Sequence, residues 1–117
     1  MKYFTFCVLC FFSCVTFADT TGLATSAVPT GIDIDRTGGF MLYGDFGNAG
    51  SCTTSNSIYV QSSHPQYNQI YSTALAAFMA GKKVYAYIQS CTSVGWYAGS
   101  STTFNTLTPN SVFYIRN

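Results

Sequence analysis

The sequence predicts a mainly β fold with one helix, a small five-stranded barrel capped by an amphipathic helix, and three observations predict it. One stretch has helical apolar periodicity, about five short runs are rich in β-branched and aromatic residues, and the length leaves room for a single domain. The chain has 117 residues. Lys2, the apolar stretch Phe4 to Val15, and Thr16-Phe17-Ala18 before Asp19 read as a secretory signal peptide over 1–18. Its removal leaves 19–117, about 99 residues, as one domain. The apolar run is too short for a membrane span, and no other segment approaches the roughly 18 apolar residues a span needs. A lipoprotein site at Cys14 is the rival reading, with a poor lead-in in Phe11-Phe12-Ser13.

The helix is the clearest element. Tyr67, Ile70, Tyr71, Ala74, Leu75 and Phe78 fall on one stripe at helical period. Ser63 suits the N-cap, Pro65 the first turn, and Gly81 the position just past the end. Lys82 and Lys83 then sit beside the negative end of the helix dipole. Lys83 to Gln89 alternates, with Val84, Ala86 and Ile88 on one face and Tyr85 and Tyr87 on the other. Further strands are expected at Ser57 to Gln61, Phe40 to Tyr43 and Ser111 to Ile115, with a weaker one from Val28 to Asp35. Gly44 to Asn56 and Cys91 to Thr103 carry Gly, Ser, Thr and Asn and read as loops. A helix between the third and fourth of about five strands fits an OB-fold-like barrel.

Composition excludes several functions. In 19–117, Arg36, Lys82, Lys83 and Arg116 balance Asp19, Asp33, Asp35 and Asp45, and there is no Glu. A nucleic-acid binder needs a basic stripe to displace counterions, which four scattered cations do not form. Ser and Thr, 25 residues of 19–117, favour short-range hydrogen bonding over electrostatic steering. Cys7, Cys10 and Cys14 leave with the signal, and Cys52 and Cys91 remain. In an oxidising compartment an even pair in a small domain is most simply a disulfide, against the alternative of two buried thiols. Zinc is disfavoured, since those cysteines and His64 are the only soft ligands and lack metal-site spacing; no cofactor is expected.

Three stretches carry a family resemblance: Ser57-Ile58-Tyr59; Gln66 to Leu75 running on to Gly81-Lys82-Lys83-Val84-Tyr85-Ala86-Tyr87; and Phe104-Asn105-Thr106-Leu107-Thr108-Pro109-Asn110-Ser111-Val112. In order and spacing this resembles the binding subunits of subtilase-cytotoxin and typhoid-toxin type AB5 toxins, over some 60 residues from Phe40 onward. The resemblance implies an OB-fold protomer in a homopentameric ring, exported through the periplasm. Such a ring binds host glycans, often sialylated, and carries a separate enzymatic A subunit. A family serine that contacts sialic acid has Ser26 as its nearest counterpart, in a region about four residues shorter here. A family aromatic sugar contact falls on Ile88, with Tyr87 one position before it. The family's first cysteine of the pair is replaced in the Phe40 to Tyr43 strand, which leaves Cys52 to pair with Cys91.

Aromatic residues are the other candidates. Tyr87 and Trp96 suit sugar stacking, because the C–H faces of sugars fit aromatic rings, while Tyr59 and Tyr85 suit subunit contacts, where tyrosine is enriched. Asp33 and Asp35 would share a solvated strand face rather than form an acid pair. His64, beside Pro65, suits a capping or surface role, and Ser62 and Ser63 form no nucleophile elbow. One His and no Glu give no convergent acid–base set, so no catalytic residue is expected. The alternative function is a monomeric secreted interaction or inhibitor protein acting through the 91–103 loop, including Val94-Gly95-Trp96-Tyr97.

Overall fold

The computed structural model describes residues 21–98 and 101–117, without the side chains of Trp96 and Ala98; the expected signal peptide lies outside them. The elements run β1 (Gly22–Leu23), β2 (Gly31–Ile34), β3 (Phe40–Tyr43), β4 (Thr54–Val60), α1 (Tyr67–Ala80), β5 (Lys83–Ile88), β6 (Ser90–Ser93), α2 (Gly95–Ala98), β7 (Thr103–Thr106) and β8 (Phe113–Arg116). They form a three-stranded sheet, β1-β5-β8, and a five-stranded sheet, β2-β3-β4-β7-β6. Only Gln89 separates β5 from β6, so one ribbon passes from sheet to sheet. The stretch between β1 and β2 is held by the Ala27–Val84 bridge and by the Thr30 N–H donating to Tyr43 O at 2.8 Å. Followed as ribbons, the order is first, second, third, fifth, fourth and back to the first. The third and fifth, β4 and β7, run parallel. This is the connectivity of the expected OB-like barrel, with α1 between the third and fourth ribbons.

Alternation builds two cores. Phe40 and Leu42 of β3 and Ile58 and Val60 of β4 point inward with Val84, Ala86, Ile88 and Leu107, and Ile70, Ala74 and Ala77 of α1 close over them. Met41, Tyr59, Val94 and Phe104 form a second cluster on the opposite face of the five-stranded sheet, with Tyr43 and Tyr97 packed against it. Phe40 meets Tyr67 and Tyr71 edge-on at 5.6 and 5.4 Å, which seats α1 on the barrel.

Several expectations are corrected. The helix starts later, with Gln66 at the N-cap and no side-chain cap bond, so Ser63 is not the cap. Instead the buried His64 ring accepts the Gln66 N–H at Nδ1 (3.0 Å) and donates from Nε2 to Thr108 O (3.0 Å), pinning the turn before α1 to the segment before β8. Gly81 ends the helix in the left-handed conformation, as expected (φ 66°). The buried line of α1 is Ile70, Ala74 and Ala77, so Leu75 and Phe78 are exposed beside Met79. Large side chains on that line would hold the helix away from the barrel, whereas two alanines allow close approach.

The loop expected at 91–103 contains β6, α2 and the start of β7, and the one expected at 44–56 gives way to β4 at Thr54. Cys52 and Cys91 form the expected disulfide, with Cα atoms 5.6 Å apart. It spans from the segment before β4 to β6, across the intervening β7. Buried Asn105 of β7 secures the same region, accepting from the Gly50 N–H at 2.8 Å and donating to Asn48 Oδ1 at 3.1 Å.

Candidate functional site

The alternation of β5 that buries Val84, Ala86 and Ile88 turns Lys83, Tyr85 and Tyr87 outward. In β8, Phe113 and Ile115 pack on the core, so Tyr114 and Arg116 share that outer face. Tyr85 and Tyr114 are directly paired across the strands, and their rings stack at 5.0 Å and 3°. The Arg116 guanidinium lies over Tyr114, 4.8 Å from the ring centre. Tyr87 pairs with Leu23 of β1, and its hydroxyl bonds Thr21 Oγ1 at 3.3 Å. Ser111 donates its hydroxyl to Tyr87 O. The Ala27–Val84 bridge puts half-buried Ser26 level with Tyr85. The outer face of the three-stranded sheet is therefore a ladder of half-buried tyrosines flanked by hydroxyls. Flat rings with hydroxyl groups around them supply the two contacts a sugar uses, stacking on C–H faces and directional hydrogen bonds.

Ser26 lies beside β5, level with Tyr85, and of Tyr87 and Ile88 only Tyr87 is on the outer face, because Ile88 is fully buried. For Trp96 the side chain lies outside the described residues. Its backbone belongs to α2, which follows β6 and packs on the five-stranded sheet through Tyr97, whose ring lies 5.7 Å from that of Phe104. Tyr85 is on the outer face with Tyr87, open to a ligand or a neighbour. Tyr59 is corrected: only 5% of it is exposed, and its ring fills the second core cluster rather than reaching a subunit contact.

A second hollow, of about 390 Å³, opens beside α2 and is lined by Asp35, Arg36, Thr37, Tyr59, Ser93, Val94 and Gly95. Asp35 is buried at the β2–β3 turn, which corrects the expectation that it shares a solvated face with Asp33. Its carboxylate accepts from the Tyr59 hydroxyl and the Thr37 N–H, both at 2.5 Å, and from Thr37 Oγ1 at 2.9 Å. Burial alone would raise its pKa, but these donors outweigh it and hold the group below the ordinary carboxylate value. Burial pushes the Tyr43 hydroxyl well up, with Tyr97 and Asp33 beside it acting in the same direction. Asp35 is therefore a clasp on the turn, its oxygens already engaged. The burial of Asp35 and His64 carries no periodicity signal; Thr37 two residues after Asp35 is the one local hint, since such spacing favours a side-chain-to-backbone turn.

Among the described residues no group of three or more His, Cys, Asp or Glu could hold a metal ion, and no helix is long and apolar enough to cross a membrane. Comparisons with protein-family models, curated proteins and solved structures return no match for this chain.

Proposed function

We propose that this chain is the secreted, glycan-binding B subunit of an AB5-type toxin, assembled as a homopentameric ring that recognises host cell-surface glycans and carries a separate A subunit. The observation that carries the reading is the tyrosine ladder on the outer face of β1-β5-β8, with Ser26, Thr21 and Ser111 around it. The OB-like barrel is compatible with the reading and does not imply it, because one fold hosts many functions. The disulfide is compatible with export to an oxidising compartment. A monomeric interaction protein working through 91–103 gains less support, since Val94 is buried and Tyr97 packs on the sheet, so these two side chains serve the second core cluster.

Binding to a panel of immobilised sialylated and neutral glycans tests the proposal, using the exported, oxidised protein and Tyr87→Ala. The expected result is glycan capture that falls at least about tenfold in the variant, the scale of one lost aromatic anchor, with the melting temperature little changed. Binding to no glycan on the panel, or equal capture by both proteins, would contradict it.

A further inference from the structure

His64 is the chain's one histidine, and each of its polar groups is bonded inside the fold. Its N–H donates to Gln61 O at 3.0 Å, and its carbonyl accepts the Tyr67 N–H at 3.0 Å. The buried imidazole accepts the Gln66 N–H at Nδ1 and donates from Nε2 to Thr108 O. Pro65 has no N–H, so the Gln66 N–H is the first donor the chain offers after His64. Gln66 makes no side-chain cap bond and the first turn of α1 holds no acidic residue, so the imidazole serves the entry to the helix.

The far side of the imidazole leads to the tyrosine face. Thr108 O also accepts the Ser111 N–H at 3.1 Å, and the Thr108 hydroxyl donates to Gln89 Oε1 at 2.7 Å. Ser111 in turn donates its hydroxyl to Tyr87 O, and the Tyr87 N–H donates to Val112 O at 3.2 Å. The connection from β7 to β8 is thus fastened at one point to His64 and at another to Tyr87. A backbone N–H facing Nδ1 needs a lone pair there, so the bond to Gln66 exists only while the imidazole is neutral. Imidazole is also the ordinary side chain that changes charge between about pH 5 and 8. Among the described residues no carboxylate bonds it. The nearest titratable group of α1 is Tyr67, and 107–112 has none. From β4 comes Tyr59, whose hydroxyl is held by Asp35. In the β2–β3 turn, where a Cβ on Gly38 would stand 3.5 Å from that of Ser62, are Asp35, engaged by Thr37 and Tyr59, and Arg36. Lys82 and Lys83 lie at the far end of α1, with Arg116 of β8 opposite Lys83.

We propose that His64 is a proton-operated latch. A proton on Nδ1 opens the bond to Gln66 and loosens the Thr108–Ser111 turn that seats Tyr87, so the outer tyrosine face is fixed at neutral pH and relaxed in acid. The latch acts on the shape of that face, whatever ligand the face takes.

The test uses the exported, oxidised protein with no ligand added, as wild type, His64→Asn and His64→Gln, between about pH 7.5 and 5.0. Asp35, held below the ordinary carboxylate value, stays ionised across this range. Asn offers an amide oxygen near the Nδ1 position and Gln an N–H near the Nε2 position, and neither titrates. In the wild type the imidazole should take up its proton within the range, followed by NMR. Hydrogen-exchange protection of the Gln66, Ser111 and Tyr87 amides, corrected for intrinsic rate, should fall with it by about fivefold, one hydrogen bond's worth. The wild-type melting temperature should drop about 4–8 °C more than that of either variant, and protection in the variants should not follow pH. An imidazole still neutral at pH 5.0, or protection at Ser111 and Tyr87 that stays constant as it charges, would overturn the latch. So would a wild-type melting temperature that falls no further than the variants'. The first two results are read from the wild type alone, so a variant that fails to fold leaves the decision intact.

Discussion

Asp35 shows how one side chain sets the shape of a turn. Its carboxylate accepts from Thr37 and from Tyr59, and Gly39 across the turn leaves no room for error: a Cβ there would stand 2.5 Å from the Tyr59 hydroxyl oxygen. Because the pKa of Asp35 is depressed in the fold, its contribution is present above its unfolded value of about 4 and is lost as pH falls through the lower folded value. Asp35→Asn should therefore cost about 1–3 kcal/mol at neutral pH, since an amide cannot accept at both positions. Thermal melts of wild type and variant should show the gap narrowing below about pH 4. A gap that does not change with pH would contradict the assignment.

Among the elements, the disulfide and α1 hold the barrel by different means. Cys52–Cys91 has a sequence separation of 39 and links the edge strand β6 to the chain entering β4. Closing a loop of that length contributes about 4 kcal/mol by restricting the unfolded chain. Replacing both cysteines by serine should lower the unfolding free energy in urea by about 2–4 kcal/mol with little change in the strand content of the fold. A loss under about 1 kcal/mol would show that the Asn48–Asn105 bonds already secure this region. The helix instead holds by packing, through Ala74 and Ala77 against the barrel and Tyr67 and Tyr71 against Phe40. Its line of Leu75, Phe78 and Met79 faces outward, with Met79 76% exposed.

Across the whole molecule, the features legible in the sequence are those set by period and count. Alternation in Lys83 to Ile88 told the inner face from the tyrosine face, the helical stripe placed α1, and Cys52 and Cys91 made one bond. Hidden from it were the features made by particular polar contacts. Strand β7, Thr103-Phe104-Asn105-Thr106, sits in a Ser- and Thr-rich run that reads as loop, yet Asn105 is buried because its amide is engaged by Gly50 and Asn48. The α1 stripe is apolar on more than one side, so periodicity could not tell which line the barrel would cover. Alternation made the outward side of Tyr85 and Tyr87 legible, whereas the pairing of Tyr85 with Tyr114 depends on a strand register that only the folded chain reveals.

The central claim is a ring of binding subunits, and the absolute mass of the exported, oxidised protein by light scattering on a sizing column tests it most directly. The expected result is a particle of five chains that stays intact on dilution, as an obligate oligomer with covered apolar faces should. A clean monomer across the same concentrations would contradict the ring.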